Sequence, residues 1–331
     1  ISGFRYEEFK VLLNIFDKSK IVVNPAGYFV VDTPIENHKK HIEEFEVQSK
    51  LGNKIKLRNG FVNVNTKLFY CIFLNNISKN LAWLEKYKIA FIFTLYPGGG
   101  FKINETFSDE KLAKVFASPM FRKVIVTQRI TYDYLIEKNL CCKEKIEFIF
   151  GCVVPQISLN KNLTQKKSYL INKATFDICF CAAKYTPRGE DKGYDVFVEF
   201  AKTIAPMYDF INFHVVGGFS EFDIDVSEIK DKVKFYGYQN FDVLGEIYQN
   251  IDVLISPNKA FTLGKGAFDG FPLGTVVEAV LNGVCVLISD ELKQNNTFKD
   301  DIDLILIEST QHSIMKHVID LIENPEKLYS I

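Results

Sequence analysis

Short apolar runs rich in β-branched and aromatic residues alternate along the chain with stretches whose apolar positions recur every three to four residues. Unbroken apolar runs of four to eight residues mark strands buried on both faces, and a 3.6-residue period marks an amphipathic helix. In the first half this pattern predicts strands at residues 20–23, 68–74, 89–95, 123–127 and 146–150, with helices at 109–116 and 131–138. In the second half it predicts strands at 176–183, 210–216, 233–236, 253–256, 284–289 and 304–307, with helices at 194–204, 276–281 and 313–322. Strands separated by helices pair in parallel. The predicted class is therefore α/β, with two Rossmann-like domains facing a cleft. Their bounds are residues 1–160 and 176–331, joined by a polar, weakly periodic linker at 161–175.

Composition narrows the function. The 331 residues are 47% apolar and 24% charged, enough for a packed core and too apolar for disorder. A net charge of −1 leaves no cationic excess for nucleic-acid phosphates, so no nucleic-acid partner is expected. The seven cysteines include no Cys-x-x-Cys pair and read as reduced, mostly buried thiols of a cytosolic protein. The histidines lack metal-ligand spacing; His38 and His41 can share a helix face, but no third ligand is near. No metal or cofactor is expected. No stretch approaches the roughly 20 apolar residues that span a bilayer, and no secretory signal is visible.

Open parallel sheets bind ligands beyond the carboxyl ends of their strands, so the loops there carry the candidate chemistry. After the strand at 176–183, Lys184, Arg188 and Lys192 lie within nine residues. Such fixed cations suit the developing charge of a diphosphate leaving group. Scattered charges on a solvated loop would look the same. After 210–216, Gly217 and Gly218 allow close backbone approach, without the Gly-x-Gly-x-x-Gly fingerprint of nicotinamide enzymes. After 233–236, Tyr236 or Tyr238 can lie against a base, with Gly237 opening the space, although strand tyrosines are more often core residues. The most informative loop is Asp269-Gly-Phe-Pro-Leu273, which runs through Gly274 into a helix starting near Thr275. The first N–H groups of that helix are a ready phosphate site. Glu278, one turn in, can accept paired hydrogen bonds from two ribose hydroxyls, or only complement the helix dipole. In the first half, residues 91–97 run into Gly98, Gly99 and Gly100, where backbone can approach an acceptor or phosphate.

In Asp191-Lys-Gly193, Lys234-Phe-Tyr-Gly237, Asp269-Gly-Phe-Pro-Leu273 and Glu278-Ala-Val-Leu-Asn-Gly283, in that order along the chain, the sequence resembles the retaining GT-B enzymes of glycosyltransferase family 4. The resemblance is strongest over residues 176–290. It departs in two places: the spacing from Asp269 to Glu278 is one residue longer than usual, and Lys184 stands where an Arg is common, with Arg188 in an apparent insertion.

The resemblance implies transfer of a sugar from a nucleotide-diphosphate donor to a glycan or lipid-linked acceptor, with retained anomeric configuration. It also implies a cytoplasmic setting in polysaccharide biosynthesis, with peripheral contact at the inner membrane face. Lys192, Arg188 and Asp269 are the implied catalytic residues. Lys184, Gly217, Gly218, Tyr238, Gly274, Thr275 and Glu278 would hold the donor, and Gly98–Gly100 would form an acceptor or phosphate loop. Two other readings stay open: a GT-B epimerase of nucleotide sugars, and a binding protein without turnover.

Overall fold

The computed structural model describes residues 3–16, 18–23, 40, 42–44, 46–47, 54–57, 66–151 and 166–331. His38, His41 and linker residues 161–165 lie outside these. The chain divides into two compact units, residues 1–66 with 153–157, and residues 67–152 with 158–331.

In the smaller unit, helix α1 (Gly3–Ile15) accompanies two parallel strands, β1 (Ile21–Val23) and β2 (Ile55–Leu57). Leu13 and Ile55 are its buried apolar pair, with Ile21 and Ile42 against them. The strand expected at 20–23 thus pairs locally with β2, in a sheet of its own.

The larger unit contains two all-parallel sheets. The first has four strands in sequence order: β3 (Leu68–Ile72), β4 (Ala90–Leu95), β5 (Phe121–Val126) and β6 (Ile146–Phe148). The intervening helices are α2 (Leu74–Lys86), α3 (Thr106–Ala117) and α4 (Arg129–Glu137). The apolar run 68–74 predicts one strand, but Phe73 takes a φ of 70°, breaks the run, and lets α2 begin at Leu74. Leu74, Ile77 and Leu84 then bury one face of that helix.

The second sheet has six strands: β7 (Phe176–Cys181), β8 (Ile211–Val216), β9 (Val233–Gly237), β10 (Val253–Ser256), β11 (Cys285–Ser289) and β12 (Ile305–Ile307). Their spatial order is β12-β11-β10-β7-β8-β9. All six residues of β7, all four of β10 and all five of β11 are buried, as expected for central strands covered on both faces. The helices are α5 (Tyr194–Ile204), α6 (Phe241–Tyr248), α7 (Gly274–Leu281), α8 (Gln311–Glu323) and α9 (Pro325–Ser330). Strand order reverses between β7 and β10. The loops leaving these two strands therefore diverge and open a crevice, the place where doubly wound sheets bind ligands. Two Rossmann-like, all-parallel halves are the predicted class.

Candidate functional site

The loop leaving β7 carries the first side chains. It passes Lys184, Tyr185 and Thr186, then tightens into a short 3-10 turn, Glu190–Lys192, before α5. The Thr186 hydroxyl accepts the Glu190 amide at 2.9 Å and lies 3.0 Å from Asp191 Oδ1, so one hydroxyl closes the turn and meets Asp191. The turn buries Lys192 and points it toward the loop leaving β10. There its Nζ meets Asp269 Oδ2 at 2.5 Å, across 77 residues of sequence. Asp191 Oδ2 is 3.8 Å from the same Nζ, and the Tyr185 ring lies 5.0 Å beneath it. One buried cation thus sits between two carboxylates and an aromatic face. Burial pushes the Asp191 carboxyl up, and the Lys192 charge and the Thr186 hydroxyl partly offset this. Asp191 Oδ2 itself is buried with no hydrogen-bond partner.

Asp269 is partly exposed and stands on a loop with a cis Phe271–Pro272 bond. Its backbone carbonyl accepts from Gln294 Nε2 at 3.1 Å. Two residues past the proline, α7 begins at Gly274 with no capping side chain on its first amides, and a Cβ on Gly274 would meet open space. Those amides are available to an anion. Glu278, 6% exposed, follows on the buried face of the helix. The hydroxyl of buried Tyr248 donates to the Thr275 carbonyl at 3.3 Å on the same turn. The Cys181 thiol at the end of β7 is pushed up to about 12 by burial, with the Glu278 charge adding to the rise. The end of β7 and the first turns of α7 therefore share one electrostatic environment.

On the opposite flank of β7, Gly217 follows β8 with a φ of 125°, and a Cβ there would lie 1.9 Å from the Ala182 carbonyl oxygen. Only glycine fits that approach. A Cβ on Gly218 would lie 2.7 Å from the Tyr238 hydroxyl, so this pair and Tyr238 pack together. The Lys184 amide points at the same hydroxyl at 3.4 Å. The Lys184 side chain, however, is paired with Asp223 Oδ1 at 2.5 Å, and Arg188 is exposed.

Gly98, Gly99 and Gly100 all have positive φ, at 74°, 56° and 95°. A Cβ on Gly99 would meet the Phe73 ring at 2.3 Å, and one on Gly100 would meet Asn75 Oδ1 at 2.1 Å, whereas Gly98 faces open space. The Gly99 carbonyl accepts the Asn75 amide at 2.9 Å. Two of the three glycines are thus required by the start of α2, and Gly98 alone leaves room for a ligand.

One buried residue escapes the sequence reading. Gln128 follows β5 and pairs its carboxamide with both polar groups of Phe271, accepting the N–H at 3.0 Å and donating to the carbonyl at 3.1 Å. Its position just beyond a strand's carboxyl end was its only available signal. Among the described residues, no group of three His, Cys, Asp or Glu side chains could hold a metal ion. No helix among them is long and apolar enough to cross a membrane.

Two parallel Rossmann-like halves, with a Lys–Asp pair at the switch point of the second and an uncapped helix beside it, make up the GT-B fold class. Residues 165–330 match the family model of glycosyl transferases group 1, half of the chain, and the protein belongs to that family. Among solved structures it is similar to HepE from Anabaena in complex with UDP (14% identity, TM-score 0.67, covering 99% of this chain and 89% of that one). A glycosyltransferase from Rickettsia africae is 14% identical with a TM-score of 0.64, over 100% of this chain and 88% of that one. Sucrose-phosphate synthase from Thermosynechococcus elongatus is 15% identical with a TM-score of 0.56, over 92% and 74%. At these identities the likeness is one of fold. No curated protein matches the chain.

Proposed function

We propose that the protein transfers a sugar from a nucleotide-diphosphate donor to a glycan or lipid-linked acceptor, with retention at the anomeric carbon. The donor occupies the six-stranded half, residues 176–331, and the acceptor approaches from the four-stranded half. The observation that carries this reading is the ion pair of buried Lys192 with partly exposed Asp269, beside the uncapped start of α7. Solved HepE with UDP and TarM with UDP lend support from proteins of the same fold.

Lys192 and the Gly274–Val276 amides meet the diphosphate, Glu278 receives the ribose hydroxyls, and Asp269 orients the sugar. As the bond from the anomeric carbon to the phosphate oxygen breaks, the acceptor oxygen bonds to that carbon on the same face. The acceptor proton passes to the departing phosphate. The increase in negative charge on that phosphate falls beside a cation already buried and oriented, which costs little reorganisation. This route draws its positive charge from side chains and amides, without a metal.

The test replaces Lys192 and Glu278 separately by Ala. Lys192→Ala lowers transfer by about 10²–10³-fold. Glu278→Ala weakens donor binding by roughly 10–100-fold, the loss of charge-assisted hydrogen bonds. Wild-type binding and transfer in both variants would reject the assignment. Donor binding without transfer or hydrolysis in the wild type would leave a binding protein.

A further inference from the structure

The pairing of Gln128 with Phe271 reaches beyond that assignment. A primary amide offers one donor and one acceptor side by side, the complement of a residue's own C=O and N–H. Gln128 uses both on Phe271, across 143 residues, with its side chain buried. Gly270 lets it in: a Cβ there would lie 3.0 Å from Gln128 Nε2. The same loop is held again before Asp269. The Gly266 carbonyl accepts the Ile103 amide at 3.0 Å, a Cβ on Gly266 would lie 1.8 Å from the Ile103 carbonyl oxygen, and the Phe268 ring meets the edge of Phe101 with centroids 6.1 Å apart. Phe101, Ile103 and Gln128 all belong to the four-stranded half. Asp269 belongs to the six-stranded half, yet both flanks of its loop are gripped from the other side.

We infer that Gln128 is a positioning residue: through the Phe271 peptide it fixes the loop so that the Asp269 carboxylate faces Lys192 and the donor sugar. The site is then complete only while the two halves are docked, and the first half controls the geometry of a carboxylate that it does not carry. This rests on the reading of Asp269 as the sugar-orienting acid.

The experiment uses the full chain with Gln128→Ala, Gln128→Asn and Gln128→Glu. Asn keeps the amide but is one methylene too short to reach both groups, and it guards against misfolding of the Ala variant. Hydrogen exchange in the peptide covering residues 268–274 rises about tenfold in Ala and Asn, as expected when a buried hydrogen bond is lost. In the same variants kcat falls about tenfold, while the donor KM stays within roughly threefold. Gln128→Glu accepts the Phe271 N–H but repels its carbonyl when ionised, so its activity recovers toward wild type as the pH falls and the protonated acid regains a donor. A merely structural role would not give a loss confined to kcat with the donor KM kept and faster exchange confined to residues 268–274. Unchanged exchange in folded Ala and Asn variants would overturn the grip itself. Faster exchange with unchanged kcat would overturn the positioning role. Should the wild type transfer from no donor, the functional reading fails, and the grip is still decided by exchange.

Discussion

The two ends of the six-stranded sheet both bury charged side chains, and they settle them in opposite ways. At the amino end, Asp177 and Asp252 share Lys173, at 2.6 and 2.7 Å. Asp177 also receives His214 Nε2 at 2.8 Å and the Thr175 hydroxyl at 2.7 Å, and His214 reaches on to the Tyr236 hydroxyl at 2.8 Å. Asp252 receives the amides of Tyr169 and Asp177, both at 2.8 Å. All four carboxylate oxygens are satisfied. At the carboxyl end, Lys192 also sits between two carboxylates, yet Asp191 Oδ2 has no hydrogen bond and Asp269 is partly exposed. Burial of charge is therefore no mark of function by itself. A closed network holds strands together, whereas an incompletely satisfied one can still receive a ligand.

The largest expected effect comes from breaking the closed end. Asp177→Ala leaves the largely covered Lys173 without one of its carboxylate partners and costs about 3 kcal/mol of stability by urea denaturation. The fraction that remains folded still shows the thermal stabilisation conferred by a bound donor. Lys192→Ala does the reverse: it costs less stability and abolishes the donor-induced rise in Tm. Equal stability losses in the two variants, with donor stabilisation surviving in both, would erase the distinction.

The pH dependence separates the ends by sign. Burial pushes Asp177 up, but hydrogen bonds from His214, Lys173 and Thr175 outweigh it and hold its carboxyl well below the usual carboxylate range. A depressed folded value means that its stabilisation is complete above the unfolded value, about 4, and is lost as the pH falls below it. Asp191 is shifted upward, chiefly by burial. Its ionisation costs stability, and that cost is relieved in acid. Urea midpoints followed from about pH 7 to about pH 3 should therefore fall less steeply in Asp177→Asn than in wild type. They should fall more steeply in Asp191→Asn, where the opposing term is gone. Parallel curves for all three proteins would count against this contrast.

The same contrast explains what could be read from sequence. Strands β7, β10 and β11 are unbroken apolar runs, and α5 has a clean helical period, so packing alone announces them. Phe73 interrupts an apolar run by its backbone dihedral, which no apolar pattern encodes. The Lys192–Asp269 contact is visible only as two motifs in a family-like order, because nothing local relates residues 77 positions apart. Lys184 read as a free phosphate ligand of the β7 loop, and its pairing with Asp223 depends on how the loop after β8 folds back. Gln128 was hidden for a deeper reason: it recognises a peptide group, and every residue has one.

The smallest effect concerns Arg188, an expected phosphate ligand that joins neither network. Arg188 is exposed, so Arg188→Ala should leave stability within about 0.5 kcal/mol of wild type. Its contribution to a diphosphate donor would act through solvent and be screened by salt. A donor KM raised roughly twofold to fivefold at low ionic strength should merge with the wild-type value near 1 M salt, where the Debye length is about 3 Å. Lys184→Ala offers the control. It removes the partner of a partly buried Asp223 carboxylate, and a direct local loss of that kind resists screening. A salt-insensitive loss in Arg188→Ala would instead bring the guanidinium into contact with phosphate in the bound state, requiring the β7 loop to fold inward on the donor. The open end of the sheet would then complete itself only around its ligand, while the closed end stays complete without one.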